Sequence, residues 1–301
     1  AYLPGGTLRV QAVGDTVAGV ASLYLSNTTN QITASLLNVG ASAAGAVQAL
    51  RLGAGTNLFN VDTLSIGNTG TGRDSGRIDF GGASTGSVVF RDATGAGRVT
   101  VNIGAGVTGT SVGSSNLLDL TQHSADLLFG NVSMATQAAR AGGGTSTFSF
   151  DQGLLDLTSL TMASRSVASA NLMEAVLNIG GGTVLMGSAA GSSIQMGSST
   201  AVGGTARAVV NLTGGVTTLS GSIRILGGSG TAIGIVNLAG GTLDLRGNPV
   251  FDAANPGSFN TTSGVLRNAG PINGDGGLVK TGSALLTLSG TNSFTGLTQV
   301  Q

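Results

Sequence analysis

Three segments nearly superimpose: Ala175-Val176-Leu177-Asn178-Ile179-Gly180-Gly181-Gly182-Thr183, Ala208-Val209-Val210-Asn211-Leu212-Thr213-Gly214-Gly215-Val216, and Gly234-Ile235-Val236-Asn237-Leu238-Ala239-Gly240-Gly241-Thr242. Each is followed by a second short apolar run: Val184-Leu185-Met186, Thr217-Thr218-Leu219 and Leu243-Asp244-Leu245. Period-2 runs of this length, closed by Gly, Ser, Asn or Thr, are β-strands. The central Asn178, Asn211 and Asn237 are 33 and 26 residues apart. A repeat of that size built only from strands and turns predicts a parallel β-helix, each coil burying its inward row against the next. In such a stack the three asparagines form a structural ladder, with side-chain amides hydrogen-bonded along the axis. Weaker apolar-Asn-apolar copies lie upstream at Leu37-Asn38-Val39, Phe59-Asn60-Val61 and Val101-Asn102-Ile103, and the 22-residue step from Asn38 to Asn60 reads as one turn of a three-strand coil.

The same reading extends along the chain. Thr63-Leu64-Ser65-Ile66-Gly67, Arg77-Ile78-Asp79-Phe80-Gly81 and Ser222-Ile223-Arg224-Ile225-Leu226-Gly227 are further short strands. Helix is excluded by glycine at 53 of 301 residues, with one Lys and one Glu in the whole chain, because glycine is costly in helix interiors. The expectation is an all-β chain: a single right-handed parallel β-helix (β-solenoid) over residues 1–301, with about ten to fifteen coils of 20–30 residues. Phe90, Phe129, Phe148, Phe150 and Met173 are expected in its core. Residues 248–275 hold three of the four prolines (Pro249, Pro256, Pro271) and the turn signals Asn255-Pro256-Gly257 and Asn273-Gly274. They read as a Pro-containing loop or irregular insertion leaving the cylinder, with a functional loop as the alternative.

Composition excludes several functions. Only 9% of residues are charged and the net charge is zero, which leaves no basic face for nucleic acid. No apolar run is long enough for an integral membrane helix. The absence of cysteine removes disulfides and thiolate chemistry and suits a chain that crosses an oxidising compartment unfolded. The start Ala1-Tyr2-Leu3-Pro4 lacks the regions of a signal peptide and reads as a mature piece or a window of a longer chain.

Catalysis on a β-helix needs carboxylates or bases clustered on adjacent coils. The aspartates are scattered, the tightest groups being Asp74/Asp79 and Asp151/Asp156, with Asp119 and Asp126 about one coil earlier. A 25-residue offset would bring Asp126 near Asp151, against the plainer reading of solvated turns and arginine partners. His123 is the sole histidine; it is expected as an exposed turn residue, and no zinc or transition-metal set accompanies it. Asn273-Gly274-Asp275-Gly276 only faintly echoes a calcium-binding repeat. Arg73, Arg77, Arg91 and Arg98, interspersed with Asp74, Asp79 and Asp92, read as surface ion pairs, with a sugar- or surface-binding patch as the alternative. No catalytic, metal or cofactor site follows from these residues.

The C-terminal stretch Gly276-Gly277-Leu278-Val279-Lys280-Thr281-Gly282-Ser283-Ala284-Leu285-Leu286-Thr287-Leu288-Ser289-Gly290-Thr291-Asn292-Ser293-Phe294-Thr295-Gly296 resembles the passenger-associated transport repeat of bacterial autotransporters. The residues carrying the likeness are Gly276, Gly277, Leu278, Lys280, Gly282, Leu286, Leu288, Gly290, Asn292, Phe294 and Gly296. Ala284 stands where the family pattern has Gly, and Leu297 interrupts the following Thr-Gly-Gly-Thr. The resemblance implies that 276–301 is a transport-repeat-like coil of a passenger β-helix, exported through an outer-membrane translocator and extracellular or displayed on the bacterial cell surface. Thr298-Gln299-Val300 at one end and Gly5-Gly6-Thr7-Leu8 at the other together make one plausible coil, so the chain is expected to continue in a longer protein or to self-associate end to end. The functional expectation is a non-catalytic structural module acting as stalk, adhesin body or head-to-tail fibre unit. The alternatives are an adhesin passenger that binds a host or cell-surface ligand, and a carbohydrate-active β-helix enzyme, either a polysaccharide lyase or a depolymerase.

Overall fold

A computed structural model describes residues 2–10, 21–40, 44–67, 73–107, 112–137, 142–187, 191–273, 278–289 and 298–301. Among them every regular element is a strand, and every ladder between strands is parallel. The chain is a β-solenoid. Its strands fall into three ladders, each interior strand pairing with its counterparts one turn below and one turn above.

Two of the ladders follow each other closely along the chain. In early turns one long strand serves both, as in Asn30–Val39, Thr56–Ile66, Ser124–Gln137 and Gly153–Arg165. Later the two separate, as Thr183–Met186 and Ser192–Ser199 and then as Val216–Leu219 and Ser222–Gly227. The third ladder carries Ser22–Tyr24, Ala44–Arg51, Arg73–Asp79, Val112–Asp119, Gly143–Phe150, Leu172–Ile179 and Thr205–Leu212, then the first parts of Thr231–Asp244 and Ser258–Arg267.

Inward residues stack in columns because parallel pairing in register places like positions about 4.8 Å apart along the axis. One column runs Val10, Val39, Ile66, Ile103, Met134, Met162, Met196, Ile225, and all eight are buried. A second holds Phe59, Phe90 and Leu127. The Phe59 and Phe90 rings are stacked with centroids 4.7 Å apart, and Phe129 and Phe148 continue the aromatic contact at 5.8 and 6.2 Å. Phe90, Phe129, Phe148, Phe150 and Met173 all lie in the core, as expected.

Two expectations need correction. The first column contains about seven regular three-strand turns, fewer than ten to fifteen. The reason is turn length, which runs from 27 residues (Val39 to Ile66) to 37 (Ile66 to Ile103). The 22-residue step is not a turn: Asn38 pairs with Arg9 and Ser65, whereas Asn60 pairs with Thr33 and Arg91 in another ladder. Second, residues 248–273, the described part of the Pro-containing stretch, do not leave the cylinder. Val250 bridges Ile223 and Ile272, and the Pro249 and Pro271 carbonyls accept from Ile223 and Val250 N–H at 3.1 and 2.9 Å. Val250, Phe251, Phe259, Leu266 and Ile272 are buried core. Proline lacks the N–H a ladder needs but keeps the carbonyl, so this stretch closes its turns with single bridges and the strand Ser258–Arg267.

Candidate functional site

One outward-facing column of the third ladder runs nearly the length of the described chain: Tyr24, Arg51, Asp79, Asp119, Ser149, Asn178, Asn211, Asn237, Asn260. Pairing in register sets each step directly, except that Asp79 and Asp119 follow the paired Ile78 and Leu118. Its second half is an amide ladder. Asn211 Nδ2 donates to Asn178 Oδ1 at 2.8 Å, Asn237 to Asn211 at 2.8 Å, and Asn260 to Asn237 at 2.9 Å. Asn178 in turn donates to Ser149 Oγ at 3.1 Å. Asn260 is a rung the sequence reading missed, since Thr261-Thr262-Ser263 follows it in place of the Gly-Gly corner that marks the others.

Glycine makes those corners possible. Gly215 has φ of +69°, and a Cβ built on it would sit 2.4 Å from the Gly182 carbonyl oxygen of the turn below. The corner after Asp79 is different: Phe80-Gly81-Gly82-Ala83-Ser84-Thr85-Gly86 separates it from the strand Ser87–Arg91. This longer corner, with the turn at Thr121-Gln122-His123, leaves a groove of about 600 Å³ beside Tyr24, Arg51, Arg77, Asp79 and Asp119.

Asp79 is the polar centre of the groove and is itself buried. Arg51 Nη1 donates to both its oxygens, Arg77 Nε donates to Oδ2, and Gly81 N–H donates to Oδ1 at 2.7 Å. Burial alone would push its carboxyl up, but these hydrogen bonds from Arg51, Arg77 and Gly81 together hold it below the ordinary carboxylate range. One carboxylate therefore serves two guanidinium groups.

His123 forms one wall and corrects another expectation: it is buried, only 7% exposed. Its ring lies parallel on Phe80 with centroids 3.7 Å apart. Nδ1 is 2.8 Å from the Thr121 carbonyl oxygen and Nε2 is 2.9 Å from the Ala83 carbonyl oxygen. Both partners are acceptors, so each ring nitrogen that carries a hydrogen donates it. The imidazole clasps the long corner to the turn above, an arrangement invisible in sequence because the two segments are 40 residues apart.

The other ionisable side chains serve similar ends. Arg91 pairs with Asp126, Arg98 with Asp156, Arg207 with Glu174 and Arg224 with Asp252, each joining different turns. Arg77, Arg91 and Arg98 are in ion pairs, as read from sequence, but Asp126 and Asp156 come from later turns. Asp92 instead ties its own loop. The Thr94 hydroxyl first, then the Gly97, Ala96 and Thr94 N–H groups, outweigh its slight burial and hold its carboxyl below the ordinary range. Asp126 and Asp151 do not come together as a pair: Asp126 stands opposite Val89 and Leu154, and Asp151 accepts the Gln122 N–H at 2.8 Å. Burial pushes the Arg165 guanidinium down, and its Nη2 donates to Gly142 O at 2.5 Å.

In the transport-repeat-like segment, Leu278 is buried and Lys280 Nζ donates to the Thr281 and Gly282 carbonyls at 2.7 and 2.6 Å. Leu286 and Leu288 pair with Gly264 and Leu266. Gly276, Gly277, Gly290, Asn292, Phe294 and Gly296 lie outside the described residues, as do Asp15, Asp275 and the side chains of Arg73 and Asp74. Among the described residues no group of three His, Cys, Asp or Glu could hold a metal ion, and no helix is long and apolar enough to cross a membrane. Comparison with protein-family models, curated proteins and solved structures finds no match.

Proposed function

We propose that this chain is a non-catalytic structural module of a secreted or surface-displayed bacterial protein, serving as stalk, adhesin body or fibre unit. The observation carrying this reading is the use made of its few ionisable and amide side chains. Arg51 bonds to Asp79, Arg207 to Glu174, and the run from Ser149 to Asn260 is linked from turn to turn, reinforcing a cylinder rather than converging on a reacting centre. Nearest-neighbour interfaces of this kind sum along a solenoid and resist axial extension. The resemblance of residues 276–296 to the transport repeat, including the self-capped Lys280, supports export across an outer membrane to the cell surface.

Negative-stain microscopy of the purified chain tests the assembly part of this reading. Rods that lengthen by joining end to end are expected of a fibre unit, and uniform short particles at every concentration would leave the stalk and lose the fibre. Cell fractionation of the producing bacterium tests localisation, and protein confined to the cytoplasm would sink it. A second reading, an adhesin body that holds a surface ligand, is favoured by the groove at Asp79.

A further inference from the structure

We propose that the groove lined by Tyr24, Arg51, Arg77, Asp79, Asp119 and Gln122 is a binding site for a carboxylate-bearing oligosaccharide. This goes beyond the structural reading and does not depend on it, because a stalk with or without a ligand site is still a stalk.

The argument begins with unspent hydrogen-bonding capacity. Arg77 uses Nε on Asp79, and its Nη groups have no partner among the described residues, on a side chain 40% exposed. Arg51 spends only Nη1 on the same carboxylate. Two guanidiniums sharing one carboxylate leave planar donors facing solvent, and such a fork matches a second carboxylate bidentately. The Asp119 carboxylate engages Thr121 through Oδ1 alone, which leaves an acceptor for hydroxyl groups. The Gln122 amide, carried on a backbone of φ +65°, adds a donor and an acceptor at the rim.

The aromatic residue sets the class of ligand. Tyr24 is 73% exposed at the end of the groove, in a chain with two tyrosines and no tryptophan. An exposed ring with a polar tip offers a flat apolar face to a sugar ring while its hydroxyl stays wet. From Tyr24 to Asp119 is three rungs, about 14 Å, a span that suits two or three sugar rings. The lining stretch Gly81-Gly82-Ala83 brings no large apolar side chain of the kind that anchors a peptide. The strands Ala44–Arg51 and Arg73–Asp79, which carry Arg51, Arg77 and Asp79, are paired above and below, so neither offers a free edge to a peptide strand.

Calorimetry and ligand-observed NMR with trigalacturonate, its fully methyl-esterified form and triglutamate test the proposal. Saturable binding of trigalacturonate is expected below about 10 mM, weakened at least tenfold by esterification and at least tenfold tighter than the binding of triglutamate. Arg77→Gln and Tyr24→Ala should each weaken it at least fivefold, while Arg224→Gln, at an exposed pair elsewhere, should leave it unchanged. Both groove side chains are partly exposed and Arg51 still holds Asp79 in either variant, so the fold is expected to persist, as a circular dichroism melt checks. Absence of saturation with trigalacturonate overturns the proposal. So does binding that survives both groove substitutions, or equal binding of triglutamate, which would assign the groove to peptides.

Discussion

The two halves of the outward column from Tyr24 to Asn260 occupy the same place in the coil and do opposite things with it. In the downstream half the same side chain repeats, Asn178 to Asn211 to Asn237 to Asn260, each amide giving to the rung before it and the first three also receiving from the rung after. An amide is donor and acceptor at once, so it can stack on its own copy without limit. A charge cannot, since like charges on neighbouring strands repel. The upstream half therefore does not run on one repeated side chain. It places Asp79 between Arg51 below and Asp119 above, with Arg77 brought in from two residues away to balance the two acids. The self-complementary half closes tightly at Gly-Gly corners, while the charged half opens into a groove. Repetition makes a strut, and loss of repetition makes a place where something else can bind.

That contrast can be broken most forcibly at the corners. Gly215→Val puts a β-branched side chain at φ +69° and 2.4 Å from a backbone oxygen, and should cost about 3 kcal/mol or more by strain and overpacking, read from urea denaturation. Gly82→Ala in the groove corner meets nothing within 4 Å, although its φ is +87°, and should cost only about 1 kcal/mol. Equal costs at the two sites would erase the distinction between closed and open corners.

Within the ladder, Asn211→Ala removes two amide bonds. At about 1 kcal/mol each the loss is about 2 kcal/mol, and hydrogen exchange should show it centred on Thr205–Leu212 and its two neighbours. Uniform change along the cylinder would argue against an independent ladder.

Within the groove, Asp79→Asn leaves two partly exposed arginines without their anion and should cost about 1–2 kcal/mol, less than a fully buried pair would. Its acid dependence has a definite sign. Because the fold lowers the Asp79 carboxyl, its contribution is complete above the ordinary carboxylate range, about pH 4–5, and is lost as pH falls through the folded value beneath it. Stability of the native protein should therefore drop on acidification through that window, and Asp79→Asn should flatten the curve. Identical acid profiles for the two proteins would show that Asp79 is not held low.

The smallest effect belongs to Arg98→Ala, whose pairing with Asp156 crosses two turns but is well exposed. It should change stability by less than about 1 kcal/mol.

The strand register of the downstream half was legible because Asn178, Asn211 and Asn237 sit in near copies, each ending in glycines that mark the corner. Asn260 escaped because its corner is built from Thr262-Ser263-Gly264 instead. The upstream asparagines misled: Asn38 and Asn60 repeat the motif but lie in different ladders, and their Oδ1 atoms are buried without hydrogen-bond partners. His123 looked like a solvated turn residue because nothing adjacent to it is apolar, and Phe80, which covers it, is a full turn away.

By itself the sequence determined the class of the fold, because short alternating runs closed by glycine allow strands and turns and little else. It also determined the ladder, where the repeat period is visible. Only the tertiary structure decided the length of each turn, the retention of residues 248–273 within the cylinder, and the groove. The steps from Tyr24 to Arg51, Asp79 and Asp119 are 27, 28 and 40 residues, set by corners of different length. Stacking converts those unequal intervals into one column, because axial spacing depends on the number of rungs crossed and not on the number of residues between them.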